Sequence, residues 1–181
     1  MEAIDTAYTT PTLPLDIAKV MKPLILGKDA GGSPPIACIS ARPIEGGTQY
    51  IATNGHCMLL IDTDEQRPCL EYAAWSSAQV KTYIESKGHA SLESDAELVH
   101  SLPDYDQVIP GGEPKPIATI GVNVRYLALM DKISKGFKLR NAHWVCEFHG
   151  DMSPMIWKTM TACNHESITG ITFVLMPVRI G

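Results

Sequence analysis

No run of apolar residues among the 181 positions approaches the roughly 18 needed to cross a bilayer. The opening stretch, Met1 to Thr10, lacks the basic-then-apolar order of a secretory signal, so the expected address is the cytoplasm. Cysteine is sparse: Cys38, Cys57, Cys69, Cys146 and Cys163 are odd in number, widely spaced and free of any CxxC pair. That spacing argues against a disulfide framework or a zinc ribbon. There is no GxSxG elbow, phosphate-binding glycine loop or HExxH, so no catalytic residue is expected. An excess of positive charge is also missing. The net charge of −5 excludes a protein that coats nucleic acid with its whole surface, but it leaves room for one basic face on an acidic body.

What is present describes a chain that folds. Hydrophobic residues make up 45% and charged residues 19%, the balance of a soluble globular protein, and the length suits one or two compact units. After Pro14, the residues Ile17, Val20, Met21 and Leu24 recur at helical spacing, which predicts a helix over 14–25 that Pro23 distorts or ends. The stretch from Gly27 to Pro35 reads as a loop. Strands are expected at 36–41, 49–53 and 57–62. Asn54-Gly55 is the hairpin turn between the last two, with positive φ needed at both turn positions.

The pattern repeats. A strand over 70–74 leads into a capped helix beginning at Trp75-Ser76 and closed by Gly88, followed by two short strands near 89–100. A third round opens at Ile117 to Gly121 and continues as a helix from Asn123 to Ser134 that Gly136 can stop. It ends in strands around 142–149, 154–161 and 170–178. Pro110 to Pro116, rich in proline and glycine, is the candidate linker. The expected class is α+β, with about three units, each a helix plus antiparallel strands.

Three segments, in order, resemble landmarks of the bacterial β sliding clamp family. They are Ala52-Thr-Asn-Gly-His56, Leu102-Pro-Asp-Tyr-Asp-Gln-Val-Ile-Pro110 and Phe173-Val-Leu-Met-Pro-Val-Arg-Ile180. A fourth, Ile120-Gly-Val-Asn-Val-Arg-Tyr-Leu127, is similar to the strand-to-helix junction of the family's last domain. The resemblance covers roughly residues 11–180. It implies a DNA clamp fold with helices on one face of the sheets, divided into a clamp domain over 11–110 like the family's middle domain and a half domain over 111–181 like the second half of its last. The family's first domain and the opening unit of its last have no counterpart. Cys57 follows the histidine where the family often has a basic residue, and Asp106-Gln107 replace a frequently basic pair, which bears on partner affinity more than on fold.

The function implied is a non-enzymatic DNA sliding clamp, a processivity factor that encircles duplex DNA as a homo-oligomeric ring without cofactor or metal. A closed ring needs no base-reading contacts, only a channel lined with positive charge. The helix windows supply it in Lys19, Lys22, Lys28, Lys81, Lys87, Arg125, Lys132, Lys135, Lys138 and Arg140, ten of the fifteen Lys and Arg residues. The family's rings are lined by twelve helices and this chain offers three, so a homotetramer is expected. The resemblance also implies an apolar pocket for a linear peptide from DNA polymerase and other replication or repair proteins. By position its residues are Thr53, Gly55, His56, Met58, Pro103, Val108, Val174, Met176, Pro177, Val178 and Arg179. The short length suggests a phage or plasmid origin. No membrane partner is expected.

Three other readings compete. His143, Cys146 and His149, with Cys163 and His165 later, invite zinc, but on a strand 143 and 149 share a face that 146 does not. A small hydrolase using His56 with Asp62 or Asp104 has no supporting motif. A monomeric clamp-like adaptor or mimic that binds replication proteins without encircling DNA would differ from the ring in its mass.

Overall fold

The computed structural model describes residues 12–27, 36–64, 71–117, 119–139, 142–150, 153–159 and 167–178. Its elements, in chain order, are α1 (Leu15–Ile25), β1 (Cys38–Ile44), β2 (Gly47–Thr53), β3 (Cys57–Thr63), β4 (Ala73–Ser76), α2 (Ser77–Glu85), α3 (Ala96–His100), a 3-10 turn (Tyr105–Val108), α4 (Val124–Gly136), β5 (Trp144–Glu147), β6 (Met155–Thr159) and β7 (Ile168–Leu175). The strands form one seven-stranded sheet in the order β4-β1-β2-β3-β7-β6-β5, and every neighbouring pair runs antiparallel. The α+β class read from the sequence is what the chain adopts.

The centre of the sheet is the β3–β7 pair, where Cys57 lies opposite Leu175 and Ile61 opposite Ile171. It joins segments from the two halves of the chain. Cys57 to Ile61 is apolar without alternation because both faces of this strand are covered. On one face Leu59, Ile61, Phe173 and Leu175 pack with Ile17, Met21 and Leu24 of α1, Val80 of α2 and Met130 and Ile133 of α4. On the other, Met58, Leu60 and Val174 pack with Ile51 and Tyr105, and Cys38 and Ala74 pack with Leu98. The long helices therefore share one face, while α3 and the 3-10 turn shield the opposite one.

Capping residues explain where the helices start. The Ser76 hydroxyl accepts from the Gln79 N–H while the Gln79 side chain receives the Ser76 N–H, a reciprocal capping box. Asn123 caps α4 by accepting from the Arg125 N–H at 3.0 Å. Pro23 does not end α1, which runs to Ile25. It lies in the last turn, where its missing N–H costs only one backbone bond. Gly136 is the last residue of α4, and a Cβ there would sit 2.5 Å from Val20 Cγ2, so glycine is what lets α4 approach α1.

Three expectations are corrected. The two strands near 89–100 are absent. Asp95 instead caps the short helix α3 through the Leu98 N–H, and the stretch before it seals the edge of β4. There the Asp95 N–H donates to the Ala74 carbonyl at 2.9 Å and the Ala74 N–H donates to Ser94 Oγ at 3.0 Å. The middle unit thus has its helix but lacks the strands expected after it. Ile117 to Gly121 forms no strand among its described residues, only a single bridge between Gly121 and Val178. In the β2–β3 hairpin, Gly55 alone takes positive φ, at 84°. Asn54 works through its side chain, with Oδ1 accepting from the N–H groups of His56 and Cys57 at 2.9 Å each. The loop expected over Gly27 to Pro35 falls almost wholly outside the described residues; of the strand expected over 70–74, Leu70 lies outside them, Glu71 and Tyr72 are not strand, and β4 begins at Ala73 and runs on to Ser76.

Candidate functional site

The β2–β3 turn, the chain after β7 and the start of α4 meet at one end of the sheet. Thr53 Oγ1 donates to the Cys57 carbonyl at 2.8 Å and receives the Gly55 N–H, which fixes the turn that carries His56. The exposed His56 ring stacks on Tyr126 of α4, with centroids 5.9 Å apart and planes 28° from parallel. Its carbonyl accepts from the Met176 N–H at 3.0 Å. Two residues on, the Val178 N–H donates to the Gly121 carbonyl at 2.9 Å. The 176–178 strap is thus pinned at both ends by backbone bonds, so its side chains are presented rather than buried. Met176 is 39% exposed and Val178 49%.

Beneath the strap, Met58 and Val174 are almost fully buried in the cluster on the face away from the long helices. The segment over that cluster packs through Leu102, Tyr105 and Ile109, leaving Pro103 and Val108 exposed. The 102–110 segment named from the sequence does lie over this cluster, but Pro103 and Val108 are not the residues that close over Met58 and Val174. A two-pronged ion pair holds the segment down: the Arg42 guanidinium of β1 donates to both oxygens of Asp106 at 2.8 Å. The arginine keeps the Asp106 carboxyl below its ordinary range. Asp106, read as a departure bearing on partners, serves to anchor the fold. Tyr105 lies beneath, its hydroxyl 3.4 Å from Ser40 Oγ. Burial raises its pKa and pushes the adjacent Cys38 thiol up to about 11.

Of the pocket residues named from sequence, Thr53, Gly55, His56, Met58, Val174, Met176, Pro177 and Val178 gather at this end of the sheet, and Arg179 lies outside the described residues. Sequence reasoning missed Tyr126. The available signal is its position in the Ile120 to Leu127 segment, which the sequence marks only as a strand-to-helix junction.

The basic residues occupy the long-helix face. Lys19, Lys81, Arg125, Lys132 and Lys135 are exposed on α1, α2 and α4, with Lys22 half-buried. Lys87 and Lys138 follow helix ends with positive φ and are also exposed. Lys28 and Arg140 lie outside the described residues. Two of these charges are partly offset within their own helices, Lys135 by Asp131 at 2.6 Å and Lys81 by Glu85 at 4.0 Å.

The competing chemistries find little geometry. Asp62 receives the Gln49 side chain six residues along β3 from His56, about 20 Å away at strand rise, so the two cannot pair. Asp104 caps the 3-10 turn. Cys146 packs toward the long-helix core, as the strand alternation predicts, and no group of three metal-ligating side chains converges among the described residues. Cys163 and His165 lie outside them. No described helix is long and apolar enough to cross a membrane.

No protein-family model matches the chain, and no curated protein matches it by sequence. Solved structures do match. A Helicobacter pylori β clamp crystallised with diflunisal aligns with 97% of this chain and 70% of its own, at 10% identity and a TM-score of 0.59. The DNA polymerase sliding clamps of Bacillus subtilis and Caulobacter crescentus align at 13% identity, with TM-scores of 0.59 and 0.62. They cover 98% and 99% of this chain and 68% of each clamp. The chain has a clamp-like fold and spans about two-thirds of those proteins' length.

Proposed function

We propose that this protein is a DNA sliding clamp, a ring of identical chains that encloses duplex DNA and receives partner peptides at the 176–178 strap. The observation that carries the reading is the division of the sheet into two working sides. Three long helices with exposed lysines and arginines share one face, and an apolar, pinned rim sits at one end. In this reading residues 11–110 correspond to a middle clamp domain and 111–181 to half of a last one. Twelve channel-lining helices require four copies of α1, α2 and α4, because α3 lies on the opposite face and does not enter the count.

The ring works by topology. Phosphate oxygens meet solvated lysine and arginine ends, which hold the duplex without fixing register, so the ring slides. The acidic remainder of the surface discourages DNA from binding outside. At the rim, Met176 and Val178 supply apolar contact area and Tyr126 with His56 a stacked aromatic wall, while Met58 and Val174 form the floor once an incoming anchor displaces the cover above them.

The sealed β4 edge favours one second reading, a monomeric adaptor that binds the same peptides without encircling DNA. Light scattering on the purified chain separates the two. A tetramer supports the ring, and a clean monomer at micromolar concentration rules it out.

A further inference from the structure

The sheet ends on two strands in different states. On β4 the outward groups are consumed: Ala74 by Ser94 and Asp95, and the Ser76 N–H by Gln79 Oε1 at 2.8 Å. The bond from the Asn54 N–H to the Cys57 carbonyl sets the parity of the ladder; carried through the registers of β3, β7 and β6, it turns Val145 and Glu147 of β5 inward to Lys158 and Ile156, so the backbone groups of Trp144 and Cys146 point out of the sheet. The next residue of that parity, Phe148, confirms the direction, since its carbonyl accepts the Lys115 N–H at 2.6 Å from outside the sheet. Among the described residues, the outward backbone N–H and C=O groups of Trp144 and Cys146 meet no hydrogen-bond partner. Such a row is a template for another strand.

We propose that β5 pairs antiparallel with β5 of a second copy about a twofold axis through Val145. Self-complementarity selects both the partner and the register. With Val145 opposite itself, Trp144 meets the partner's Cys146 and the reverse, and all four outward N–H groups and all four carbonyls are matched. Centring on Trp144 or Cys146 matches only half of them. The Lys115 bond at Phe148 ends the pairing one step beyond.

Side chains agree on both faces. Val145 is 44% exposed and would cover its own copy across the axis. His143 falls opposite the partner's Glu147, a carboxylate that Lys158 of its own chain already holds at 3.0 Å, so a protonated histidine there joins an existing ion pair. On the long-helix face an open cavity of about 440 Å3 adjoins the edge, lined by Met130, Ser134, Leu139, Ala142 and Trp144 among others. The axis stands perpendicular to the sheet, so both copies keep their long helices on the same side. The pairing is compatible with a helix-lined channel, but it stands whether or not the assembly encloses DNA.

Val145→Cys in the full chain tests it. The self-opposed position is a non-hydrogen-bonded pair with Cα atoms about 4.5 Å apart, within disulfide range. Mild oxidation should convert most of this variant to a covalent dimer on a non-reducing gel, well beyond the wild-type background. Val145→Lys sets two ammonium groups face to face and should yield monomers by light scattering with an unchanged circular dichroism spectrum. No gain in crosslinking for Val145→Cys, or wild-type mass for Val145→Lys, overturns the pairing. A wild-type tetramer that does not crosslink through position 145 would overturn the twofold while leaving a head-to-tail ring standing. A wild-type monomer would overturn both.

Discussion

Gly136→Ala is an exposed, helix-favouring change that should nonetheless destabilise this protein. Alanine is about 1 kcal/mol better than glycine inside a helix, less at the last helical residue. Against that gain, the new Cβ would lie 2.5 Å from Val20 Cγ2, where carbon atoms at rest sit about 3.5–4.0 Å apart. Val20 is buried between α1 and α4, and relieving such an overlap in a packed seam costs about 1–3 kcal/mol. The expected net is a loss of roughly 1 kcal/mol, or about 2–4 °C in Tm for a chain of this size. Val20→Ala removes the clashing methyl and costs about 2 kcal/mol by itself. In that background Gly136→Ala should become neutral or stabilising by up to about 1 kcal/mol. Urea unfolding of the four proteins, followed by circular dichroism, gives the double-mutant cycle. A stabilising Gly136→Ala in the wild-type background, or the same effect in both backgrounds, refutes the close α1–α4 contact.

Asp106→Asn should cost about 0.5–1 kcal/mol at pH 7, a small figure because the carboxylate is exposed and screened. Arg42 lowers the folded-state pKa of Asp106 below its unfolded value, so this contribution is complete above about pH 4 and lost as pH falls through the folded pKa. The variant should therefore lose less stability than wild type between about pH 5 and 2, and parallel pH profiles would contradict the pairing. Replacing Met176 and Val178 together with glutamine should weaken binding of short fluorescent peptides carrying leucine and phenylalanine anchors, measured by anisotropy. Each lost apolar contact is worth about 1–2 kcal/mol, so affinity should fall at least tenfold with the melting temperature unchanged. Unchanged affinity would place the peptide site elsewhere.

The sequence carried the local features well. Helical spacing from Ile17 to Leu24, the cap at Ser76, the helix starting near Asn123 and the alternation around Cys146 each depend on near neighbours, and each is found in the structure. What it carried poorly was set by distant partners. Residues 89–100 resembled strands, yet the cap at Asp95 and the open edge of β4 make that stretch a seal and a short helix. Gly136 suggested a helix stop, but Val20, more than a hundred residues away, is the neighbour its missing side chain accommodates. The β3–β7 pairing has no local signal, because neither strand carries information about which edge it meets. At the candidate site the motifs located the turn and the strap, but not Tyr126 against His56 or Arg42 beneath Asp106, contacts that exist only once the sheet brings its ends together.

Retention on DNA tests the sliding-clamp reading most directly. The assembled protein, loaded on nicked circular duplex and washed in salt that strips ordinary electrostatic binders, should remain bound and then run off when one restriction cut linearises the circle. Equal retention on the circle and on the linear product would contradict encirclement.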